Sequence, residues 1–289
     1  MKTNTQFISD LSAFAPLKQS LVDCILSISD PQYIFQLGIK QQEIKLESIF
    51  NCKINSYHSI EDIWLLVVVN DLKNKTRNEW QDQIEAHCNQ IISTITIVVE
   101  ANVFEQWKIN GDSFPCTVLQ SAECLHGFST GRDVLTTQHT EINLIELEFL
   151  LAASLNKSKE FLAGAELYRV RKQYSLSAFM LHQSAEQSLL ALLNISTGLR
   201  LSSHNVERLI RYCSFLFPEF IELFQIDREE DKRLLRLLQK AYVDTRYKKD
   251  YSIRYDELML LTEKVQEIIN IVSARGKEIT KASSLNVAI

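Results

Sequence analysis

The chain has 289 residues, of which 46% are hydrophobic and 23% are charged, and its formal net charge is −5. This composition is typical of a folded protein and excludes collagen-like, disordered and disulfide-scaffold classes. The acidic balance disfavours a broadly basic nucleic-acid binder, and 7 glycines with 4 prolines are too few for a large Gly-rich enzyme loop or an all-β sandwich.

Charge is distributed unevenly along the chain, which indicates two structural units. Residues 1–140 contain 10 Lys/Arg against 16 Asp/Glu, whereas residues 141–289 contain 21 against 20. The six cysteines form no Cys-x-x-Cys pair, so we interpret them as buried thiols of a reducing compartment. The chain shows neither a signal-peptide pattern nor an apolar run of roughly 20 residues. We therefore expect a cytoplasmic protein that does not span a membrane.

The first half alternates helical and strand patterns. Apolar spacing predicts a helix over 5–29 that Pro16 divides, and Asp30 with Pro31 ends it. Further along the chain we predict strands at 33–37, 63–69 and 95–99, helices at 76–93 and 103–109, and an edge strand at 116–119. This order of elements is typical of an α/β layer domain.

Two of these strand segments also show a resemblance to a known fold. The stretches Tyr-Ile-Phe-Gln-Leu-Gly-Ile at 33–39 and Glu-Asp-Ile-Trp-Leu-Leu-Val-Val at 61–68 resemble the core of the DNA polymerase β-type nucleotidyltransferase fold. That resemblance implies a Gly-Ser turn that holds a triphosphate, followed by a strand with an Asp-x-Asp pair. Carboxylates two residues apart on a strand share a face and can hold Mg²⁺ together.

This sequence keeps only part of that pattern. Gly38 matches the turn glycine and Asp62 matches the first carboxylate, but Ile39 replaces the serine and Trp64 replaces the second acid. The third strand has no acid inside it, and Glu100 lies at its end. We therefore expect a degenerate nucleotidyltransferase-like domain with vestigial Gly38 and Asp62, no transfer activity and no magnesium cofactor. The alternative is a generic α/β layer whose Asp62 only begins a strand.

From residue 141 onward the apolar spacing predicts helices throughout. We predict them over 141–174 (as one helix or two), 176–195, 203–217, 228–247 and 255–275. Gly198 is a predicted helix stop, and Ser202 or Ser203 and Asp227 are predicted N-caps. Short loops between such helices imply an antiparallel bundle.

The predicted domain boundaries follow from these patterns. The α/β domain covers 1–128, a linker covers 129–142, the helical bundle covers 143–276, and a loose tail covers 277–289.

Polar residues in the second half form three groups. His182 and Glu186 are four residues apart and share a helix face. His204 and Asn205 open the next helix, where free N–H groups favour an anion. The third group mixes cations with tyrosines, which suits a phosphate and a base. The candidate ligand-binding residues are His182, Glu186, His204, Asn205, Arg208, Arg246, Tyr247, Lys248, Lys249 and Tyr251.

Three segments of this half resemble the HEPN family. They lie at 178–187, at 203–209 and at 241–247, where the sequence reads Ala-Tyr-x-Asp-x-Arg-Tyr. The resemblance implies a bundle of four to five helices that often occurs beside a nucleotidyltransferase domain. HEPN domains commonly dimerise, so we expect a homodimer that pairs through an apolar helix face such as Leu144, Leu147 and Leu151.

HEPN proteins fall into at least two functional kinds. One kind cuts RNA with an Arg-x4–6-His motif, in which the histidine or its neighbours help activate the ribose hydroxyl. Here the arginine is Arg246, and the positions that follow after four to six intervening residues are Tyr251, Ser252 and Ile253, none of which is a histidine. Tyrosine, with an ordinary pKa of about 10, is a poor general base near neutral pH. The sequence therefore fits the nucleotide-binding kind better.

The leading hypothesis is a non-catalytic protein that binds a nucleotide or another phosphorylated small molecule, with RNA as a further candidate ligand. Arg246, Lys248 and Lys249 would contact phosphate, and His182, His204 and Asn205 would supply polar contacts. One rival is a HEPN ribonuclease or toxin–antitoxin component in which His204 or His182 replaces the motif histidine. Another rival is a protein–protein interaction scaffold.

Each candidate residue also has a purely structural interpretation. His182 and Glu186 would then be a buried hydrogen-bonded pair that links helices, and His204 would only cap its helix. Arg246 would form a surface ion pair with a neighbouring aspartate, worth about 0–1 kcal/mol.

Overall fold

The computed structural model describes residues 7–8, 14–48, 51–127, 144–225, 228–247 and 251–286. The chain forms two compact units, 1–140 and 141–289. The first unit combines helices with a sheet and the second is helical, which confirms the predicted fold class. The predicted linker 129–142 lies outside the described residues. Within the described ranges, no helix has both the length and the apolar character that crossing a bilayer requires.

The first unit is built on a sheet of five strands. They are β1 (Phe7–Ile8), β2 (Pro31–Ser48), β3 (Asn51–Val69), β4 (Ser93–Glu100) and β5 (Glu123–His126). β2 pairs antiparallel with β3 and β5, whereas β3 pairs antiparallel with β1 and parallel with β4. The helices are α1 (Phe14–Ile28), α2 (Arg77–Cys88), α3 (Ala101–Ile109) and α4 (Ser113–Ser121).

The central strand β3 is buried on both faces. Ile63, Leu65 and Val67 pack in one cluster with side chains of α1 and α2. On the other face, Phe35 of β2 meets Phe104 of α3 with ring centroids 6.2 Å apart. Burial on both sides explains why β3 ends in a continuous apolar run instead of an alternating pattern.

Several predicted elements of the first unit are wrong. Phe7–Ile8 is an edge strand paired with β3, not the start of a helix. Pro16 lies in the first turn of an unbroken α1, where a missing N–H breaks no helical hydrogen bond. The predicted strand 116–119 lies inside α4, because the buried Phe114 and Val118 are four residues apart and follow a helical period.

Gly38 does not occupy the predicted turn. It lies inside β2, opposite Trp64, where the pairing with β3 shifts register between Gln36 and Gly38. β2 then continues to Ser48, and β3 begins at Asn51. Gly38 therefore lies at an irregularity of a long hairpin instead of in a turn.

The second unit consists of helices in its described part. They are α5 (Leu144–Val170), α6 (Tyr174–Thr197), α7 (Val206–Leu216), α8 (Glu219–Leu223), α9 (Glu229–Tyr247) and α10 (Tyr255–Asn286). α6 is the central helix and contacts α5, α7, α9 and α10. Serines allow α5 and α6 to approach closely: the Ser158 hydroxyl donates to the Ser184 carbonyl at 2.8 Å and lies 2.7 Å from the Ser188 hydroxyl.

The helix ends of this unit agree in part with those predicted from the sequence. The stop at Gly198 is confirmed, since this residue has φ 74°. Asn205, rather than Ser202 or Ser203, caps α7: its side-chain oxygen accepts from the Arg208 amide at 2.9 Å. The predicted cap Asp227 lies outside the described residues.

The structure differs from the predictions at two places on the outer helices. α10 continues to Asn286, so 277–286 is helical instead of a loose tail, and Thr280 is buried. On the face predicted for dimer contact, Leu151 is only 6% exposed and Leu147 is half-buried. Leu151 packs so closely on Gly276 of α10 that a Cβ there would clash with it. Leu151 is therefore used inside the bundle, and the homodimer stays a prediction.

Candidate functional site

The site begins with a histidine inside the bundle. His182 of α6 is fully buried, and its Nε2 lies 3.0 Å from the His204 carbonyl oxygen. Its Nδ1 lies 3.3 Å from the Gln183 amide nitrogen. A neutral ring that carries its proton on Nε2 satisfies both contacts, because it donates at one nitrogen and accepts at the other. His182 thus links α6 to the segment before α7.

That segment is also held from α9. The Gln239 amide nitrogen donates to the His204 carbonyl at 3.1 Å, and the Gln239 side-chain oxygen accepts from the Val206 amide at 2.8 Å. Asn205, between them, caps α7. Three helices therefore fix the backbone of His204, so the direction of its side chain is defined before any ligand arrives.

The His204 ring is fixed in place yet open to solvent. Its Nδ1 lies 3.1 Å from a carboxyl oxygen of Glu186, and the ring stacks on Tyr242 at a centroid distance of 4.4 Å and an interplanar angle of 19°. The side chain is nevertheless 57% exposed. Because Nδ1 is engaged with Glu186, Nε2 is the ring nitrogen left for a ligand.

The carboxyl group beside these two histidines belongs to Glu186 and is buried. Its side chain is 5% exposed and lies one helical turn from His182, with the His182 Nδ1 3.7 Å from the nearer carboxyl oxygen. Burial raises the pKa of Glu186 above its usual range, while the hydrogen bond from His204 acts in the opposite direction. The predicted shared face of His182 and Glu186 is present, and the pair orients His204.

Tyr242 of α9 belongs to this cluster, but it is not among the predicted ligand-binding residues. Its ring lies 5.0 Å from that of His182 and 6.4 Å from that of Phe179, in addition to its contact with His204. The sequence held a signal for it, because Tyr242 precedes the candidate Arg246 by four residues and shares its helix face.

The remaining candidates lie in different surroundings. Arg208 of α7 is only 7% exposed. Tyr251 donates its hydroxyl to the Leu237 carbonyl at 3.0 Å, and burial raises the pKa of its phenol, so it stays neutral. Arg246 and Tyr247 belong to α9, and their side chains lie outside the described part of the structure, as do Lys248 and Lys249 entirely.

The vestigial residues of the first unit do not form a metal-binding site. Asp62 of β3 pairs with Lys40 on β2 and with Ser93 on β4. Trp64, at the position of a second carboxylate, is buried in the core. An indole offers no oxygen ligand, so these residues do not fit the magnesium site of a nucleotidyltransferase. Among the described residues, no group of three or more His, Cys, Asp or Glu side chains is placed to hold a metal.

The helical unit matches a known protein family. Residues 151–278 match the model of the HEPN domain family, which confirms the resemblance found in the sequence. No curated protein matches the chain.

Two solved structures are similar to this chain. An archaeal HEPN homologue is 16% identical, and the match covers 44% of this chain and 97% of that one with a TM-score of 0.32. A nucleotidyltransferase-like protein from Exiguobacterium sibiricum is 12% identical, and the match covers 92% of this chain and 78% of that one, again with a TM-score of 0.32.

Proposed function

We propose that the helical unit binds a nucleotide or another phosphorylated small molecule without transforming it, and that His204 is its central contact. The observation that carries the proposal is the exposed His204 ring, which Glu186 and Tyr242 hold in one orientation. A surface histidine with only a structural role has no need of a buried carboxylate behind it. A ring held in advance loses little conformational freedom when a ligand arrives.

The chemistry of the cluster suits both parts of a nucleotide. The exposed ring of His204, which Tyr242 supports from one side, offers a surface on which a base can stack. When His204 is protonated, Nδ1–H donates to Glu186 and Nε2–H is left to donate to a phosphate oxygen.

The end of α9 adds positive charge to this proposal. Arg246 follows Tyr242 by one helical turn on the same helix, and the sequence continues with Lys248 and Lys249. Guanidinium and ammonium groups are the side chains that recognise phosphate. We assign Arg246 and the two lysines to the phosphate and His204 to the junction between phosphate and base.

Calorimetric titration of the full chain with ATP, AMP and inorganic phosphate tests this assignment. We expect a nucleotide to bind more tightly than phosphate alone, and His204→Ala to weaken binding about tenfold or more, since a charge-assisted hydrogen bond contributes about 1.5–3 kcal/mol. Arg246→Ala should weaken binding of nucleotide and phosphate alike. No heat at millimolar ligand would remove the nucleotide proposal.

The matched control is His87→Ala. His87 is an exposed histidine of α2 in the first unit, and its Nδ1 lies 2.8 Å from the Gln83 carbonyl oxygen. Nucleotide affinity should be the same in this variant and in the wild type. An equal loss in both variants would show that the effect of His204→Ala is not specific to the site.

The same geometry supports ribonuclease activity as a second candidate. A histidine whose Nδ1 is oriented by a buried carboxylate and whose side chain is largely exposed can accept a proton at Nε2 from a ribose 2′-hydroxyl. Incubation of the purified protein with total RNA separates the two candidates. Cleavage that disappears in both His204→Ala and Arg246→Ala would replace the binding proposal with an enzymatic one, whereas intact RNA favours binding.

A further inference from the structure

A pocket of about 260 Å³ lies in the second unit, between the start of α7, the residues after α8 and the first turns of α9. We call it the α7–α9 pocket. Pockets for drug-sized molecules occupy about 300–1,000 Å³, so this pocket suits a smaller molecule. In the described ranges, His204, Glu186 and Tyr242 are not among its lining residues. The α7–α9 pocket is therefore distinct from the proposed nucleotide site.

Part of the pocket wall is apolar. It is formed by Phe224, directly after α8, and Leu235 of α9, which are only 3% and 8% exposed. The Lys264 Nζ lies 4.8 Å from the centroid of the Phe224 ring and donates to the Leu223 carbonyl at 2.6 Å, which ties this segment to α10. An apolar group that covers Phe224 and Leu235 leaves water, and this favours its binding.

The buried carboxylate in the wall is already paired. Asp231 of α9 is 8% exposed, and its Oδ1 lies 2.7 Å from the Lys264 Nζ. Its Oδ2 accepts from the Gln225 amide at 3.0 Å. Both oxygens thus have partners that compensate the charge. The charges available to a ligand therefore come from the more exposed residues of the pocket.

Two cations line the pocket from α9. Lys232 and Arg236 are one helical turn apart, and their side chains are 41% and 63% exposed. Both contact Glu229: its carboxyl oxygens lie 3.0 Å from the Lys232 Nζ and 3.8 Å from the Arg236 Nη2. Glu229 is 79% exposed, and ion pairs open to water contribute little. A ligand carboxylate can therefore take the place of Glu229 at both cations.

An acid lines the same pocket from α7. Glu207 belongs to the first turn of that helix and is exposed. Within the ranges that the structure describes, it has no ion-pair partner. The pocket thus combines a carboxylate from one helix with two cations from another, beside an apolar wall. A ligand of a single charge can pair with only one of these groups, whereas a zwitterion can pair with both.

We propose that the α7–α9 pocket binds a free α-amino acid with an apolar side chain, such as leucine or phenylalanine. Lys232 and Arg236 hold the carboxylate of the ligand, and Glu207 holds its ammonium group. The apolar side chain of the ligand lies against Phe224 and Leu235. The proposal does not depend on the proposed nucleotide, because the two sites share no residue.

Calorimetric titration of the full chain with a matched series of ligands tests the proposal. Leucine and phenylalanine should bind about tenfold or more tightly than glycine, which lacks the apolar side chain. Isocaproic acid is leucine without its amino group, and isoamylamine is leucine without its carboxylate. Each should also bind about tenfold or more weakly than leucine, because one charged contact is lost. No heat with millimolar leucine or phenylalanine would overturn the proposal.

Two variants test the assigned contacts. Arg236→Ala and Glu207→Gln should each weaken leucine binding about tenfold or more. Glu207→Gln should also reduce the preference for leucine over isocaproic acid, since the latter has no ammonium group to lose its partner. An unchanged preference would overturn the role of Glu207. Both side chains are exposed, and unchanged far-UV circular dichroism checks that the variants are folded.

The matched control is Lys240→Ala. Lys240 is an exposed cation one turn after Arg236 on α9, and it is not among the described residues that line the pocket. Leucine affinity should be unchanged in this variant, and a loss equal to that of Arg236→Ala would show a general charge effect and overturn the site. His204→Ala should also leave leucine binding unchanged while it weakens nucleotide binding, so failure of one proposal is distinguishable from failure of the other.

Discussion

The two units each bury a glutamate, and the two carboxylates serve different purposes. In the first unit, Glu85 of α2 accepts from the Thr96 amide at 2.8 Å and from the Thr96 hydroxyl at 3.1 Å. It thus gives two hydrogen-bond donors of β4 an acceptor. In the second unit, Glu186 accepts from His204, whose ring reaches solvent. The partner of Glu186 is therefore open to a ligand, whereas the partners of Glu85 belong to the buried sheet.

The tryptophans allow the two units to be followed separately. Trp64, Trp80 and Trp107 are the three of the chain, and all lie in the first unit. Tryptophan fluorescence therefore reports the unfolding of the α/β unit, whereas far-UV circular dichroism is dominated by the helical unit. Each variant below should affect one signal and spare the other.

The largest effect is expected for His182→Ala. This change removes a fully buried side chain, leaves a cavity, and frees the His204 carbonyl from one of its two donors. The helical unit should lose about 2–4 kcal/mol of unfolding free energy in denaturant titrations followed by circular dichroism. A loss below about 0.5 kcal/mol would mean that His182 does not hold the segment before α7.

Glu85→Ala should destabilise the first unit next. Without the carboxylate, the Thr96 amide loses its acceptor inside the protein. We expect a loss of about 1–3 kcal/mol in the fluorescence transition, with nucleotide affinity unchanged. A loss of affinity in this variant would contradict the distinction between the two glutamates.

The pH dependence of stability tests the burial of Glu186. Because burial raises the pKa of Glu186, its stabilising contribution is complete below the usual carboxyl value of about 4.5 and is lost as the pH rises through the raised value. The stability difference between the wild type and Glu186→Gln should therefore shrink with rising pH, by at most about 1.4 kcal/mol per pH unit. Circular dichroism at a series of pH values measures this difference, and a difference that grows with rising pH would contradict the expected direction.

His204→Ala should have the smallest effect on stability. The ring is largely exposed, so water can replace it beside Glu186, and its removal should lower the unfolding free energy by about 1 kcal/mol or less while it weakens ligand binding. A strongly destabilised variant would favour the structural interpretation, in which His204 serves only to hold α7.

Local patterns in the sequence predicted much of the fold. The apolar run at 63–69 marked the central strand, Gly198 marked the end of α6, and the four-residue spacing of His182 and Glu186 placed them on one face. Such features depend on neighbours within a few residues, which is why the sequence alone reveals them.

Predictions that depended on distant contacts were wrong. Gly38 was interpreted as a turn because its long pairing with β3 is not visible in its neighbours. The inward direction of Leu151 depends on Gly276, which follows 125 positions later on α10. Tyr242 was missed as a site residue because its three aromatic neighbours lie on α6 and before α7.

The sequence by itself determined which residues could form a site: the histidines, the glutamate and the cations at the end of α9. Only the tertiary structure decided that Glu186 and His182 are buried and that His204 is exposed. Burial depends on the packing of α6, α7 and α9, which bring together residues as far apart as 182 and 242. Residue type and spacing do not encode that packing locally. Only the folded chain therefore shows which residues position His204 and which residue can contact a ligand.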